Sequence, residues 1–193
     1  AIHIEKPDRP STWAGIEKYE RKAWDATPPT ANYFAEVRRV SVDQIIWGGN
    51  YFADLLPASK GWIFWDKQFE NTFNFSHGEL AWTSFDKQLL KFTLSSKAET
   101  RGGKDRIHPT QKPVALYRWL LQNYAKPGQR ILDTHLGSGS IAIACDIEGF
   151  DLVGCELDGD YIAAARKRLA DHRAQPRLFD APKPTAQQLT IEG

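Results

Sequence analysis

Apolar residues form short runs in the first half of the chain and recur at helical spacing in the second. Gln44-Ile-Ile-Trp47, stopped by Gly48-Gly49, reads as a buried strand and turn, and Gly61-Trp-Ile-Phe-Trp65 as a second strand. Residues 33–40 predict a helix feeding the first strand, and 51–56 a short helix ended by Pro57. Residues 79–83 and 89–94 predict two more short strands, and 95–106, polar and basic around Gly102-Gly103, a mobile loop. After Pro113, apolar Val114, Leu116, Tyr117, Leu120, Leu121 and Tyr124 lie at helical spacing up to Pro127-Gly128. Next come a strand at 130–133, a helix at 138–148, a strand at 151–157 and a helix at 161–171 with Asp158 as its N-cap. That alternation predicts an α/β domain with a parallel sheet. Residues 1–30 are polar and broken by prolines, with a helical piece around 12–22. Residues 173–193, rich in Pro, Ala and Gln, predict a flexible tail.

Composition narrows the class. The chain has 193 residues, with 25 Lys and Arg against 24 Asp and Glu, so it is not generally polybasic. A local nucleic-acid groove remains open, since binding follows the distribution of charge. Two cysteines, Cys145 and Cys155, offer neither a disulfide framework nor a four-ligand zinc set, and no metal site is expected. No apolar run reaches the roughly 20 residues of a membrane helix. The opening residues AIHIEKPDRP are too polar for a signal peptide. The expectation is a soluble, cytoplasmic protein. There is no Met, so the chain does not start at its own initiator or has been processed.

The most informative segment is Ile131-Leu-Asp-Thr-His-Leu-Gly-Ser-Gly-Ser140. A strand ends at Asp133, a loop with Gly137 and Gly139 follows, and a helix starts. Such glycines let backbone approach a ligand, and the helix start offers N–H groups to an anion. Glu156 closes the next strand, where an acidic residue about 20 positions past a glycine loop binds ribose hydroxyls in nucleotide sites. The third glycine of a dinucleotide fingerprint is replaced by Ala142, and no Gly-Lys-Ser/Thr is present. The residues therefore point to an adenosine-bearing ligand, but not to a dinucleotide or a P-loop nucleotide.

Arg106-Ile-His-Pro-Thr-Gln-Lys-Pro113, then a helix, then Asp133-Thr-His-Leu-Gly-Ser-Gly-Ser140, then Val153-Gly-Cys-Glu-Leu-Asp158 resemble the β-class DNA amino-methyltransferases. Trp47-Gly-Gly-Asn-Tyr-Phe52 and Trp65-Asp-Lys67 resemble the phage-encoded branch. The resemblance implies a Rossmann-like S-adenosylmethionine-dependent methyltransferase fold, a mainly parallel sheet with helices on both faces. It implies one catalytic domain over 1–172, with a target-recognition insertion at about 68–107. The implied cofactor is S-adenosyl-L-methionine and the implied partner double-stranded DNA, methylated at the exocyclic amine of a flipped base, adenine N6 ahead of cytosine N4. His108, Thr110 and Lys112 would lie near the methionine end of the cofactor. Asp133, Thr134, Gly137, Ser138, Gly139 and Ser140 would frame its amino-acid group, and Glu156 would bind the ribose.

The family's Asp-Pro-Pro-Tyr string, whose carboxylate and ring would engage the flipped base, is absent from the sequence. The nearest strings start at Asp8 and Thr27. Missing upstream or internal sequence is the favoured explanation; divergence, with Asp8 as remnant, and an inactive relative are the others. No catalytic residue is assigned beyond Asp8 as a weak candidate. Asn50, Lys67, Lys87, Lys91, Arg101, Lys104 and Arg106 are candidate DNA contacts, because cations neutralise phosphates. Without the family context an ordinary solvated loop accounts for 68–107 equally well. Trp47, Trp62 and Trp65 read as core. In the tail, Gln175, Leu178 and Phe179 fit a loose Gln-x-x-Leu-Phe pattern that resembles peptides docking on the replication sliding clamp. Oligomeric state, monomer or dimer, is open. The alternatives are an inactive binder of DNA or cofactor and a methyltransferase acting on RNA or protein.

Overall fold

The computed structural model describes residues 28–68, 76–95, 97–100 and 105–175. Among the described residues, eleven elements follow one another. Helix α1 (Ala31–Val40) leads to β1 (Ile45–Trp47) and a 3₁₀ turn at Gly49–Tyr51, then β2 (Trp62–Asp66), β3 (Gly78–Thr83) and β4 (Leu90–Thr93). Helix α2 (Val114–Tyr124) precedes β5 (Arg130–Asp133), α3 (Ser140–Glu148), β6 (Asp151–Gly154) and α4 (Gly159–Ala174).

The strands form a four-stranded sheet of order β1-β3-β2-β4 and a parallel pair β5-β6. β3 runs antiparallel to both β1 and β2, and β4 is parallel to β2. So β1, β2 and β4 share one direction and β3 alone is reversed. The sheet is mixed where the sequence predicts a mainly parallel one. Among the described residues, no strand joins the pair β5-β6 to the larger sheet. Helix α2 joins them instead: Leu120 and Tyr124 pack on Ile63 and Ala81 of the sheet, while Leu121 packs on Ala144 and Cys145 of α3.

Alternation along the strands builds two faces. Ile63 and Ala81, opposite each other in the β2–β3 ladder, face α2. Trp82 faces the other way, against Phe34 of α1 and Leu56. The sheet therefore has a helix on each face, as expected. The indole N–H groups of Trp62, Trp65 and Trp82 donate to the carbonyls of Ser59, Leu94 and Pro57. Trp65 is buried, and Trp47 and Trp62 are partly buried and packed against the core, as the sequence indicates.

Several local expectations change; the strand expected over 151–157 ends at Gly154, so Glu156 lies just beyond it. Residues 51–56 do not form a helix; after the 3₁₀ turn the chain bends, and Phe52, Leu55 and Leu56 pack toward α1 instead. A run this short has no nucleus to sustain a helix without tertiary support. Part of the expected mobile loop is anchored. The Glu99 carboxylate accepts the Val114 and Ala115 N–H groups at 2.5 and 2.9 Å, capping α2 from outside, and Thr100 is buried. The helical piece at 12–22 and nearly all of the tail lie outside the described residues. Among those described, no helix is long and apolar enough to cross a membrane.

Candidate functional site

β5 and β6 end side by side, and the loop after β5 is stitched to the end of β6. Cys155 donates its N–H to the Asp133 carbonyl (2.8 Å) and Leu136 its N–H to the Cys155 carbonyl (2.8 Å). The loop turns through Gly137 (φ 50°) and Gly139 (φ 70°). A side chain at Gly139 would also lie 2.9 Å from the Ala165 Cβ, so this position serves both the left-handed turn and the close packing of α4. It explains why α3 starts at Ser140 and not at 138: Gly139 is its N-cap.

Two carboxylates flank this loop. Asp133 Oδ1 accepts the His135 N–H at 2.9 Å. Burial pushes the Asp133 carboxyl above its ordinary range, opposed by the His135 N–H and by the nearby His135 and Lys112 charges. Glu156 Oε2 accepts the Gly137 N–H at 2.7 Å, and Oε1 accepts those of Leu157 and Asp158 at 2.9 and 3.1 Å. The carboxylate thus holds the glycine loop against the end of β6. An ionised carboxylate has about four lone-pair positions, so three N–H groups leave room for one more donor. Beside it, Leu157 is 90% exposed.

Residues 106–111 form a tight turn against the same loop. The buried His108 ring lies 3.5 Å from where a Gly137 Cβ would stand and packs edge-on against Tyr161 (4.4 Å). Its Nδ1 accepts the Thr110 N–H at 3.2 Å. Burial lowers its pKa, outweighing the opposing Glu156 charge, so the neutral ring carries its proton on Nε2. Gln111 closes the turn: its Oε1 accepts the Ile107 N–H at 3.0 Å, and its carbonyl accepts Arg106 Nη2 at 3.3 Å.

Lys112 follows. Its ammonium is 3.0 Å from Glu79 Oε2 and 5.2 Å from the Trp47 ring centroid. The other Glu79 oxygen is 2.7 Å from Lys67 Nζ, which stands 5.2 Å from the Trp65 centroid. Register explains the meeting. Glu79 pairs with Trp65 across β2–β3, two positions from Ala81, and so shares the α2 face of the sheet. Burial raises the Glu79 pKa, but the two lysines outweigh it and hold the carboxyl below its ordinary range.

A family model for DNA methylases of the N6/N4 type matches residues 14–167. The chain belongs to the DNA methylases. Among curated relatives, this methylase is 29% identical over 156 residues to the Type II methyltransferase M2.DpnII of Streptococcus pneumoniae, covering 80% of this chain and 52% of that one. It is 25% identical to M.HinfI of Haemophilus influenzae, covering 79% and 39%. It spans about half or less of the length of these relatives. Among solved structures, that of the M1.HpyAVI–SAM complex aligns with a TM-score of 0.54 at 23% identity, covering 72% of this chain and 80% of that one. The fold is thus the Rossmann-like fold of S-adenosylmethionine-dependent methyltransferases.

The methylase chain brings together His108, Thr110, Asp133, Gly137, Gly139 and Glu156 around the loop, with Thr134 at its edge. The hydroxyls of Ser138 and Ser140 turn away. Both are buried against α4, where Arg168 Nη1 reaches Ser140 Oγ at 2.7 Å and the Ser138 carbonyl at 3.1 Å. Among the described candidate DNA contacts, the cations have partners within the chain. Lys67 is held by Glu79. Lys91 pairs with Asp66 at 2.9 Å, Lys87 donates to the Asn123 carbonyl over the Tyr124 ring, and Arg106 binds its own turn. Asn50 is exposed in the 3₁₀ turn beside Tyr51, which is 80% exposed. Asp8, Arg101, Lys104, Leu178 and Phe179 lie outside the described residues; Gln175 is the exposed C-cap of α4.

Three participants escaped the sequence reading. Tyr33 of α1 places its hydroxyl 2.7 Å from Thr134 Oγ1 and 3.4 Å from His135 Nδ1. Arg168 braces the serines, and Glu79 joins the lysines. Only Glu79 left a signal: a carboxylate at a core-facing position of a strand.

Proposed function

We propose that this chain carries the S-adenosylmethionine site of a DNA amino-methyltransferase, acting on a flipped base at adenine N6. The observation that carries the reading is the pair Asp133 and Glu156 at the carboxyl ends of adjacent parallel strands, on either side of a glycine loop. That is the crevice in which open α/β sheets hold nucleotides. The donor set fits the cofactor. Glu156 retains an acceptor position for a ribose hydroxyl, Leu157 offers an exposed apolar surface to a purine ring, and Asp133 supplies a carboxylate for an ammonium. The neutral His108 supports the loop from below without adding a charge that would oppose a sulfonium. When bound, S-adenosylmethionine supplies a methyl group activated by the sulfonium. The chain's own part is to orient the ligand and exclude water beneath it. Adenine N6, double-stranded DNA and the flipped base rest on the family resemblance.

A second reading has its own support. No Asp-Pro-Pro-Tyr occurs in the 193 residues, which favours cofactor binding without turnover by this chain. Two measurements separate the readings. Calorimetric titration with S-adenosylhomocysteine should give binding that falls at least about tenfold in Glu156→Ala. Incubation with methyl-labelled S-adenosylmethionine and unmethylated duplex DNA, followed by nucleoside analysis, should give N6-methyladenine. Labelled N4-methylcytosine would overturn the base, equal labelling of RNA or protein would overturn the acceptor, and binding without any labelled product would establish the second reading.

A further inference from the structure

Between α2, α3 and α4 lies a groove of about 440 Å³, within the roughly 300–1,000 Å³ of small-molecule sites. Val114, Ala115, Ile143 and Ile147 give it apolar walls, and Arg168 lines it from α4. The other charged side chains along it are engaged. Glu99 accepts the Val114 and Ala115 N–H groups, Arg118 donates to Glu148 at 2.6 Å, and Asp171 pairs with Lys167 at 2.7 Å. Arg168 differs: among the described residues it has no carboxylate partner. Its bonds, to the Ser138 carbonyl and to the Ser138 and Ser140 hydroxyls, all leave from Nη1 and end on neutral oxygens. The guanidinium carries five N–H donors, more than these bonds use. Burial holds its pKa below the ordinary value, opposed by the Glu99 charge. His172 also lines the groove, and its Nε2 is buried without a hydrogen-bond partner, 3.9 Å from Asp146 Oδ2. A cation drawn partly out of water onto neutral acceptors gains most from an anion, and the apolar walls beside it favour an apolar body on that anion.

We infer that the groove between α2, α3 and α4 is a second binding site, taking a small organic anion with an apolar body, and that Arg168 transmits its occupancy to the glycine loop. The carboxylate or sulfonate of such a ligand pairs with Arg168, and its apolar body covers Ile143 and Ile147. The link to the loop is direct. The same guanidinium holds the Ser138 carbonyl at 3.1 Å and Ser140 Oγ at 2.7 Å, at the end of the loop and the first turn of α3. An anion that fixes the guanidinium therefore fixes the loop, and a ligand on the loop fixes the guanidinium for the anion. The link, though not the groove site itself, rests on the S-adenosylmethionine reading.

The test uses 1-naphthoate and its neutral counterpart 1-naphthamide on the full chain, by titration calorimetry. Wild type should prefer the anion by about tenfold or more. Arg168→Gln should lose most of that preference, while Arg168→Lys, which keeps the charge without the fork, should retain part of it. Ala115→Phe fills the groove without removing a charge and should lose both probes; circular dichroism checks that each variant is folded. Saturating 1-naphthoate should tighten S-adenosylhomocysteine binding by about threefold or more, the reverse titration should show the same factor, and Arg168→Gln should abolish it. Equal affinity for the two probes, or naphthoate binding that survives Ala115→Phe, would overturn the site. Naphthoate binding that leaves S-adenosylhomocysteine affinity unchanged would overturn the link to the loop and leave the cofactor reading intact. Naphthoate binding seen only in Phe179→Ala would overturn the inference in favour of a groove occupied by the chain's own C-terminal residues. Failure of wild type to bind S-adenosylhomocysteine would overturn the cofactor reading and the link with it, while the preference between the two probes still decides the site.

Discussion

At the scale of single residues, the site is built from groups whose burial has a cost. Asp133 is the clearest. Its carboxyl is raised by burial from an ordinary value of 3.8, so the folded chain holds this proton more tightly than the unfolded chain. The Asp133 contribution to folding is therefore full below pH 3.8 and is lost as pH rises through the folded value. Asp133→Asn should raise the melting temperature at neutral pH yet weaken S-adenosylhomocysteine binding, a split that thermal melts with and without ligand would read. Gly139 has the opposite character. Its left-handed φ of 70° and the 2.9 Å approach to Ala165 make Gly139→Ala destabilising, by about 2 kcal/mol in urea unfolding. Both residues were visible in the sequence because a strand, a glycine loop and a helix start are local features. Tyr33 was not, since nothing near it announces a partner a hundred positions away.

At the scale of elements, α4 and α2 illustrate two sources of helix stability. Asp158 caps α4 with its own side chain, accepting the N–H groups of Asp160 and Tyr161 at 2.9 and 3.3 Å. Asp158→Ala should cost about 1 kcal/mol, measurable as a shift of the urea midpoint with unchanged slope. That cap could be read from the sequence. α2 has a proline at its N-cap position and no side-chain cap there. Its first N–H groups are satisfied by Glu99, from a segment that composition marked as mobile. α2 also carries adjacent leucines into different cores, Leu120 to the sheet and Leu121 to α3. Leu121→Ala should cost about 2–5 kcal/mol. Because one helix ties the two cores, far-UV circular dichroism and tryptophan fluorescence should unfold at the same urea concentration in wild type and variant. Separate transitions would contradict this coupling.

For the whole molecule, buried ionisable groups set the acid limb of stability. His108 is held neutral by burial, so its contribution is full above pH 6.5 and is lost as pH falls through its lowered folded value. Glu79, held ionised by its lysines against its own burial, contributes above pH 4.5 and loses that contribution through a lower window. The His108 loss should thus lower urea midpoints just below pH 6.5, against the Asp133 gain on acidification, and the Glu79 loss should follow below pH 4.5. His108→Asn should flatten the part just below pH 6.5 and leave the lower part unchanged. What the sequence alone determined is the β5–α3–β6–α4 half, with Asp133, Gly137, Gly139 and Glu156 in order, because period, glycine and cap signals act within a few residues of one another. Tertiary structure decided the reversal of β3 between β1 and β2, the docking of Glu99 on α2, and the pairing of Lys67 with Glu79. Those outcomes depend on strand register and on which faces are brought together over long sequence separations. Local propensity is blind to both, since a lysine beside a core-facing glutamate and a lysine in solvent have the same neighbours along the chain.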